Sequence, residues 1–231
     1  NFEVNSNYQD VSDSSLTVKF EVNKNWIKRV GFEPRLEGQR LFCLVWTTTP
    51  WTLPANMMLC VNKNLKYVIL KDNTTLENYI MCTDLVSSYY PDEETQIEYL
   101  SEPFSGSVLF GMEYHPLFSY LQSDEFGLDT SKTFRVTMDD YVSKDNGTGI
   151  VHIAPSHGED DYRVCLERGI IEKDYELPIL MTDNGYFKDV VVDFAGQHVK
   201  AKDTDKNVMR HLKERGLVFK YDKKVHSYPF R

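Results

Sequence analysis

Apolar and polar residues alternate along much of this chain, and most of the resulting short segments predict β-strands. Residues 16–22, LTVKFEV, alternate strictly, which is typical of a strand with Leu16, Val18, Phe20 and Val22 on its buried face. The same signals predict strands at 40–46, at 66–71 and 77–82 as a pair joined across DNTT, and at 133–142, 149–155 and 217–228.

Helical signals are fewer. Residues 159–168 begin after Gly158 with three acidic residues, which suits a helix dipole, and stop at Gly169. Residues 204–215 form the second predicted helix, which ends at Gly216. Its apolar side is Val208, Met209 and Leu212, and its cap is Asp203 or Thr204. The sequence therefore predicts a β-rich α+β fold, with a closed or strongly curved, barrel-like mixed sheet and helices outside it.

The length of the chain predicts a single domain over residues 1–231. Hydrophobic residues make up 41% of it and aromatic residues 13%, enough for a sizeable core. The segment 85–105 includes five acidic residues from Asp92 to Glu102 and no basic ones, which predicts an exposed insertion or loop. No apolar run is long enough to cross a bilayer. The chain lacks an initial Met and stops abruptly, so we expect a fragment of a longer protein.

Charge is distributed unevenly. The net charge is −9, but residues 200–231 hold ten Lys and Arg against four Asp and Glu, a local +6, which leaves −15 on the other 199 residues. This asymmetry is compatible with a basic edge that contacts phosphate on an acidic body, and equally with a solvated charged helix.

The four cysteines, Cys43, Cys60, Cys82 and Cys165, lie far apart and form no C-x-x-C pair. Neither a zinc ribbon nor a disulfide framework is expected at this length. Three of them have apolar neighbours, which predicts core positions and a reducing, intracellular setting.

The segment Trp46–Asn56, WTTTPWTLPAN, is the first candidate site. Side chains alternate in a strand, so Thr47, Thr48 and Thr49 cannot all face one way unless the strand ends in an irregular turn, which Pro50 favours. Such a turn can direct hydroxyls toward a ribose, an ester or a water molecule. The alternatives are a β-propensity run that ends at a proline and, for Asn56, a turn residue that bonds its own backbone.

The segment 147–162, GTGIVHIAPSHGEDDY, is the second. His152 would lie on a sheet surface, and Asp161 nine residues later could line the same pocket across a turn, where a carboxylate can bind a cationic ammonium group. The alternatives are a structural histidine and acids that only cap a helix.

The same segment also contains residue types that occur in metal sites and in catalytic triads. The possible metal ligands are His152, His157, Asp160 and Asp161, but their spacing matches neither H-E-x-x-H nor H-x-H. A Ser–His–Asp triad would lack its G-x-S-x-G turn. We expect neither a metal nor another cofactor.

These two motifs, in this order and spacing, resemble the editing domain of isoleucyl-tRNA synthetases. One departure is Arg231, which follows Phe230 where the family usually continues with Cys-Trp-Arg. The related valyl and leucyl enzymes carry an Arg after two threonines, whereas this chain has Thr49. Residues 1–22 resemble the segment that leads into the domain, and 217–231 the segment that leads out. The acidic stretch at 92–102 resembles the eukaryotic cytosolic form. The H-I-G-H and K-M-S-K-S signatures are absent, so ATP binding and aminoacylation are expected only of a parent enzyme.

The resemblance implies a hydrolase that removes valine from mischarged tRNA(Ile). By this resemblance Asp161 binds the substrate ammonium and His152 is the steric wall beside the side chain. Thr47, Thr48 and Thr49 contact the terminal adenosine, with Thr48 and Thr49 positioning water, and Asn56 completes the polar rim.

The resemblance also implies partners and location. The implied partners are the 3′ end of the tRNA and the remainder of the synthetase. The fragment is expected to be monomeric and to work in the cytoplasm, not at a membrane. The alternatives are a non-catalytic tRNA-binding or interaction module and a metallohydrolase.

Overall fold

The computed structural model describes residues 8–36, 38–145, 147–201 and 203–229, with the side chains of 8–14, 33–34 and 223–229 left out. Its strands are β1 (Tyr8–Glu21), β2 (Leu41–Thr47), β3 (Met58–Val61), β4 (Lys66–Asp72), β5 (Asn78–Cys82), β6 (Ile97–Tyr99), β7 (Phe104–Ser105), β8 (Val136–Met138), β9 (Val151–Ile153) and β10 (Val218–Pro229). Its α-helices are α1 (Lys24–Val30), α2 (Val86–Tyr89), α3 (Glu93–Gln96), α4 (Glu159–Glu167) and α5 (Thr204–Glu214).

The larger sheet has the order β10-β1-β2-β5-β4-β6, and β7 also pairs with β4. Among the described strands of this sheet, β2 and β5 form the one parallel pair, and the other neighbours pair antiparallel. Every residue of β2 from Leu41 to Val45 is fully buried, as expected for a central strand covered on both faces. This strand ends at Thr47, where the first candidate motif begins.

The smaller sheet has the order β8-β3-β9, with β9 antiparallel to β3 so that Leu59 lies opposite His152. The turn before β9 joins it to the larger sheet. There the Thr148 hydroxyl donates to the Leu44 carbonyl at 2.6 Å, and Cys82 donates its amide to Thr148 at 2.8 Å. Gly149 has φ +73°, and a Cβ there would lie 2.4 Å from the Cys82 Cβ. Only glycine therefore fits this junction.

The mixed α+β fold agrees with the prediction, but the sheet is not closed. In the described part of the chain both sheets are open, with β10 and β6 at the edges of one and β8 and β9 at the edges of the other. Short apolar strands cannot distinguish one closed sheet from two open ones that pack together, which is why the sequence left closure possible.

The predicted strands are found with shifted ends. The side chains of Leu16, Val18, Phe20 and Val22 are at most 1% exposed. The predicted strand pair at 66–71 and 77–82 is the antiparallel pair β4 and β5. The strand expected at 133–142 is reduced to β8, because Phe134 has φ 55° and interrupts it. All four cysteines are buried and free.

The acidic segment, which the sequence predicts to be an exposed insertion or loop, contains short regular elements. It contains α3 and then β6, which pairs with the edge of β4 from Leu70 to Asp72. Ile97 is buried, whereas Glu98 points to solvent. One inward apolar residue was enough to add an edge strand, although the charged residues around it are typical of a loop.

Both predicted helices are present as α4 and α5. Val208 and Leu212 of α5 are buried and Met209 is partly buried. Asp203 occupies the cap position without a side-chain cap bond, and Thr204 donates its hydroxyl to the His198 carbonyl instead. The predicted capping bond is therefore not formed. No helix in the described residues has the length and apolar character needed to cross a membrane.

Candidate functional site

A cleft of about 450 Å³ opens where β2 and β9 end. It is lined by Trp46, Thr47, Thr48, Thr49, Thr52, Tyr141, Val142, Ser143, Val151, His152, Ala154, His157, Gly158 and Asp161. The two sequence motifs, about a hundred residues apart, therefore meet in one place. We call Thr47–Thr49 with Thr52 the threonine wall, and His152, His157 and Asp161 the ionisable wall.

The threonine wall forms because β2 ends irregularly. The Thr47 hydroxyl accepts the Thr49 amide at 3.0 Å, which closes a tight turn before Pro50. A 3-10 helix follows over Pro50–Ala55. Thr47 is buried, whereas Thr48 and Thr49 are exposed to the cleft side. Consecutive threonines thus face the same opening, as the proline-terminated run predicts.

The amino end of this 3-10 helix is held from a distant part of the chain. Thr49 occupies its cap position and makes no side-chain cap bond, and Pro50 has no N–H. The next amide, of Trp51, donates to the Asp205 carboxylate at 3.0 Å, and Asp205 belongs to the first turn of α5. Burial raises the pKa of Asp205, while the amide bond opposes that shift. A capping role that is usually local is supplied here across 154 residues.

Thr52 connects the two walls. Its hydroxyl donates to the Thr49 carbonyl at 2.8 Å and lies 2.9 Å from His152 Nε2. Because one hydroxyl has one proton, this pattern makes Nε2–H the donor to Thr52 and leaves Nδ1 as an acceptor. Nδ1 is buried and has no partner in the described structure.

His152 is neutral at physiological pH. Burial, and to a lesser degree the nearby His157, lower its pKa from 6.5 to about 4. The ring is 7% exposed and is fixed by β9 on one side and by Thr52 on the other. A rigid, uncharged ring is well suited to limit the size of a ligand rather than to take up a proton.

His157 packs against the other side of the cleft. Its ring lies edge-on to Trp51, with 5.1 Å between ring centroids. Burial lowers its pKa as well. The contact joins the turn before α4 to the 3-10 helix of the threonine wall.

Asp161 is in the first turn of α4, and its Oδ2 accepts the Ala154 amide at 2.8 Å. Burial raises its pKa, while that bond opposes the shift and Asp160 adds to it. Gly158 leaves room for the carboxylate, since a Cβ there would lie 2.8 Å from the Asp161 Cγ. A partly desolvated carboxylate in a cleft attracts a cationic ligand more strongly than one in open water.

Asn56 does not belong to this cleft, so its predicted place on the polar rim is not found. The residue follows the 3-10 helix, where the chain turns into β3 and the amide enters the core. Its Nδ2 donates to the Met58 carbonyl at 2.8 Å, and its Oδ1 accepts the Tyr114 hydroxyl at 2.7 Å. Both polar ends are therefore occupied within the protein.

Metal binding finds no support in the side chains present. Within the described ranges, no three His, Cys, Asp or Glu side chains come together in a way that could hold an ion. His152 and Asp161 instead have protein partners. The sequence candidates His157 and Asp160 do not complete a ligand set with them.

Three site residues were missed in the sequence. Thr52 had a usable signal, since it follows Thr49 by three residues after a proline, which is the spacing of one 3-10 turn. Gly158 has no sequence signal beyond its place at the start of a helix. Nothing in the sequence linked Asp205 to Trp51.

The charge of the cleft is distinctive. Among the described residues that line it, Asp161 is the single carboxylate and neither Lys nor Arg is present. Threonine hydroxyls and neutral rings supply the remaining polar groups. Such a cleft favours a ligand whose single charge is one ammonium group, and it offers no cation to a phosphate.

Sequence comparison finds relatives along the whole chain. It is 39% identical over 230 residues to "Isoleucine--tRNA ligase, cytoplasmic" of Saccharomyces cerevisiae and 41% identical over 232 residues to the protein of that name in Mus musculus. It spans 20% of the first and 17% of the second, so it matches about a fifth of each relative. No model of a protein family matches the chain.

Solved structures with the same fold are synthetase domains. One described as GlLeuRS-CP1 superimposes with a TM-score of 0.65 at 18% identity, covering 90% of this chain and 98% of that one. The editing domain of the P. knowlesi cytosolic leucyl-tRNA synthetase gives 0.61 at 12% identity, covering 96% and 98%. At such identities these likenesses establish the fold. The resemblance predicted from the two motifs is thus confirmed: the chain corresponds over its full length to a segment of isoleucine--tRNA ligases and has the fold of a synthetase editing domain.

Proposed function

We propose that this chain is a post-transfer editing domain that hydrolyses the ester of valyl-tRNA(Ile). The observation that carries the proposal is the single carboxylate, Asp161, in a cleft otherwise lined by hydroxyls and uncharged rings. An aminoacyl ester presents one ammonium group, one carbonyl and a ribose, which match these groups in kind and number.

Asp161 binds the α-ammonium group of the substrate. Its bond to the Ala154 amide fixes one oxygen, and α4 directs the carboxylate toward the cleft. A charge-assisted pair in this partly buried position anchors the amino acid. Because Asp161 is occupied in this way, it is not the general base.

Thr48 and Thr49 place the attacking water, and Thr47 with them contacts the terminal adenosine. The water oxygen attacks the ester carbonyl, the carbon–oxygen bond to the ribose breaks, and the water proton passes to the ribose oxygen. Valine and a free 3′-terminal hydroxyl are the products. An ester needs only a positioned water and a stabilised oxyanion, and the adjacent ribose hydroxyl assists the proton transfer.

His152 limits the size of the side chain. Valine and isoleucine differ by one methylene, worth about 1–3 kcal/mol in a pocket, a limit for which this class of synthetase is itself the standard illustration. A second site that admits valine and excludes isoleucine multiplies the discrimination. Thr52 and β9 hold the ring that forms the boundary of that site.

The partners follow from this chemistry. The 3′ end of mischarged tRNA(Ile) enters the cleft, and the remainder of a longer synthetase presents the rest of the tRNA to a monomeric domain. The yeast and mouse relatives are named as cytoplasmic, which supports a cytoplasmic location.

A deacylation assay tests the proposal. Valyl-tRNA(Ile) and isoleucyl-tRNA(Ile), each labelled in the amino acid, are incubated with the chain and with its Asp161→Ala variant. We expect the wild type to release valine, to spare isoleucine, and to lose its activity in the variant. Unchanged hydrolysis by Asp161→Ala would contradict the assigned role.

The same assay separates the alternatives. A non-catalytic tRNA-binding module would bind the RNA without releasing either amino acid. A metallohydrolase would lose activity in a chelator and regain it with added metal, whereas we expect no effect of the chelator.

A further inference from the structure

The outward face of α5 has a row of cations. Lys206, Arg210 and Lys213 are spaced i, i+4 and i+7, so they lie on one side of the helix over about 10 Å. All three are exposed, and the opposite side of the helix is its buried side, with Thr204, Val208 and Leu212. We call these three residues the basic row.

The basic row begins next to the cleft. Lys206 directly follows Asp205, whose carboxylate accepts the Trp51 amide at 3.0 Å. Trp51 lies two residues beyond Thr49 of the threonine wall. The start of α5 is therefore fixed against the segment that lines the cleft, and the row leads away from it along the helix axis.

The cleft and the basic row differ in charge. The cleft has one carboxylate and, among its described lining residues, no cation, so it cannot neutralise the phosphates of a polynucleotide. The 199 residues before position 200 have a net charge of −15 and repel them, whereas residues 200–231 have +6. We infer that the basic row binds the phosphate backbone of the single-stranded 3′ end of the substrate tRNA, while the cleft holds its terminal aminoacyl adenosine.

Nearby acids do not cancel the row. Asp203 lies 2.9 Å from Lys206 Nζ, but both side chains are more than half exposed, and such pairs exchange readily with solvent and salt. The Arg210 guanidinium donates to the uncharged Asn207 side chain at 3.3 Å. Glu214 is exposed at the far end of the helix. The inference rests on the proposed function for the identity of the RNA, but not for its binding chemistry.

The test uses an unacylated RNA hairpin with a single-stranded 3′ extension ending in CCA. Its Kd is measured at several salt concentrations for the wild type and for the triple variant Lys206→Gln, Arg210→Gln, Lys213→Gln. We expect the variant to bind about 10-fold more weakly at low salt. The slope of log K against log salt should fall by about 2, since each phosphate contact on a single strand contributes about 0.7.

A matched control neutralises Lys24 and Arg29 of α1 and Lys63 of the turn between β3 and β4, which are exposed and do not line the cleft. It has the same change in net charge, so we expect a Kd and a salt slope close to wild type. A basic-row variant that behaves like this control, or a wild type that binds the hairpin without salt dependence, would overturn the inference. Equal competition by polyglutamate at the same charge would also overturn it, because the row would then recognise acidic protein rather than RNA.

Valyl-tRNA hydrolysis by the same variants keeps the two proposals distinct. We expect the triple variant to raise KM with kcat unchanged. If the wild type hydrolyses valyl-tRNA and the triple variant has an unaltered KM and salt slope, the basic row is wrong and the editing function stands. If neither the wild type nor any variant hydrolyses the ester but the salt slope still depends on the basic row, the editing function is wrong and the inference about RNA binding is retained.

Discussion

The two walls of the cleft reach their geometry by different routes. The ionisable wall is built around one turn, since His152 and Asp161 are nine residues apart on either side of it, and the Ala154 amide within the turn holds Asp161. The threonine wall depends on a remote helix, because Asp205 of α5 holds the amide of Trp51. Thr52 then joins one wall to the other.

This difference indicates a division of roles. The ionisable wall contains the groups whose charge state matters, a carboxylate and two neutral imidazoles. The threonine wall has no titrating side chain, so only its shape can be altered. Substitutions in the ionisable wall should therefore alter ligand binding and stability through charge. Substitutions in the threonine wall should alter reaction rates only through the positions of its groups.

The largest effect is expected from Asp161→Asn. The amide can still accept the Ala154 N–H, so the fold is retained, but the charge that we propose to bind the ammonium group is lost. A hydrogen bond to a charged group is worth about 1.5–3 kcal/mol, which predicts a fall of about 10- to 100-fold in kcat/KM for valyl-tRNA hydrolysis. Thermal unfolding of the variant should stay close to wild type. A variant with wild-type kcat/KM would remove the charge-based distinction between the walls.

The next effect is the pH dependence of stability from His152. Unfolded His152 takes up a proton below pH 6.5, whereas the folded residue does so only below about 4, so the free energy of unfolding falls as pH drops through that window. The expected loss between pH 7 and pH 5 is about 2 kcal/mol. His157 acts in the same direction, and the raised pKa values of Asp161 and Asp205 act in the opposite one.

Urea unfolding at both pH values isolates this term. The His152→Gln variant should have a smaller difference in the free energy of unfolding between pH 7 and pH 5 than the wild type. An identical pH dependence in wild type and His152→Gln would mean that the imidazole is not held neutral.

The threonine wall is tested through Asp205. Asp205→Ala leaves the Trp51 amide without its partner, and a lost cap costs about 0.5–2 kcal/mol, which predicts up to about a 30-fold lower kcat. Asp205→Asn keeps an acceptor and should restore the rate, because shape rather than charge is at stake. Glu214→Ala, at the exposed end of the same helix, is the control. Equal losses in the Asn and Ala variants would assign Asp205 a charge-dependent role instead.

The smallest effect is expected from Thr52→Val, which removes the bond between the walls. Valine has the same shape but cannot accept the His152 N–H, and a bond of about 1 kcal/mol predicts a roughly 5-fold loss of discrimination between valyl-tRNA and isoleucyl-tRNA. Thr137→Val is the matched control, because that buried hydroxyl has no partner in the described structure. Unaltered discrimination in Thr52→Val would show that β9 alone fixes the ring.

The sequence foresaw the local wall better than the remote one. The alternation around residues 16–22 and the glycines that follow α4 and α5 predicted real elements, because period and end signals are local properties. The spacing of His152 and Asp161 placed both on one pocket for the same reason. The Asp205–Trp51 bond and the two open sheets depend on tertiary packing, which has no period along the chain. The place predicted for Asn56 on the polar rim was not found, because a polar residue beside a motif can also face the core.

The register between β3 and β9 has a kinetic consequence. His152 faces the cleft because it lies opposite Leu59, more than ninety positions earlier in the chain, and a shift by a single residue would turn the ring to the other face. A pairing this distant in sequence is slow to form, because the chain must first lose the conformational entropy of a long loop. The proposed hydrolysis would therefore require this register, which makes it a reporter of the completed pairing of β3 with β9.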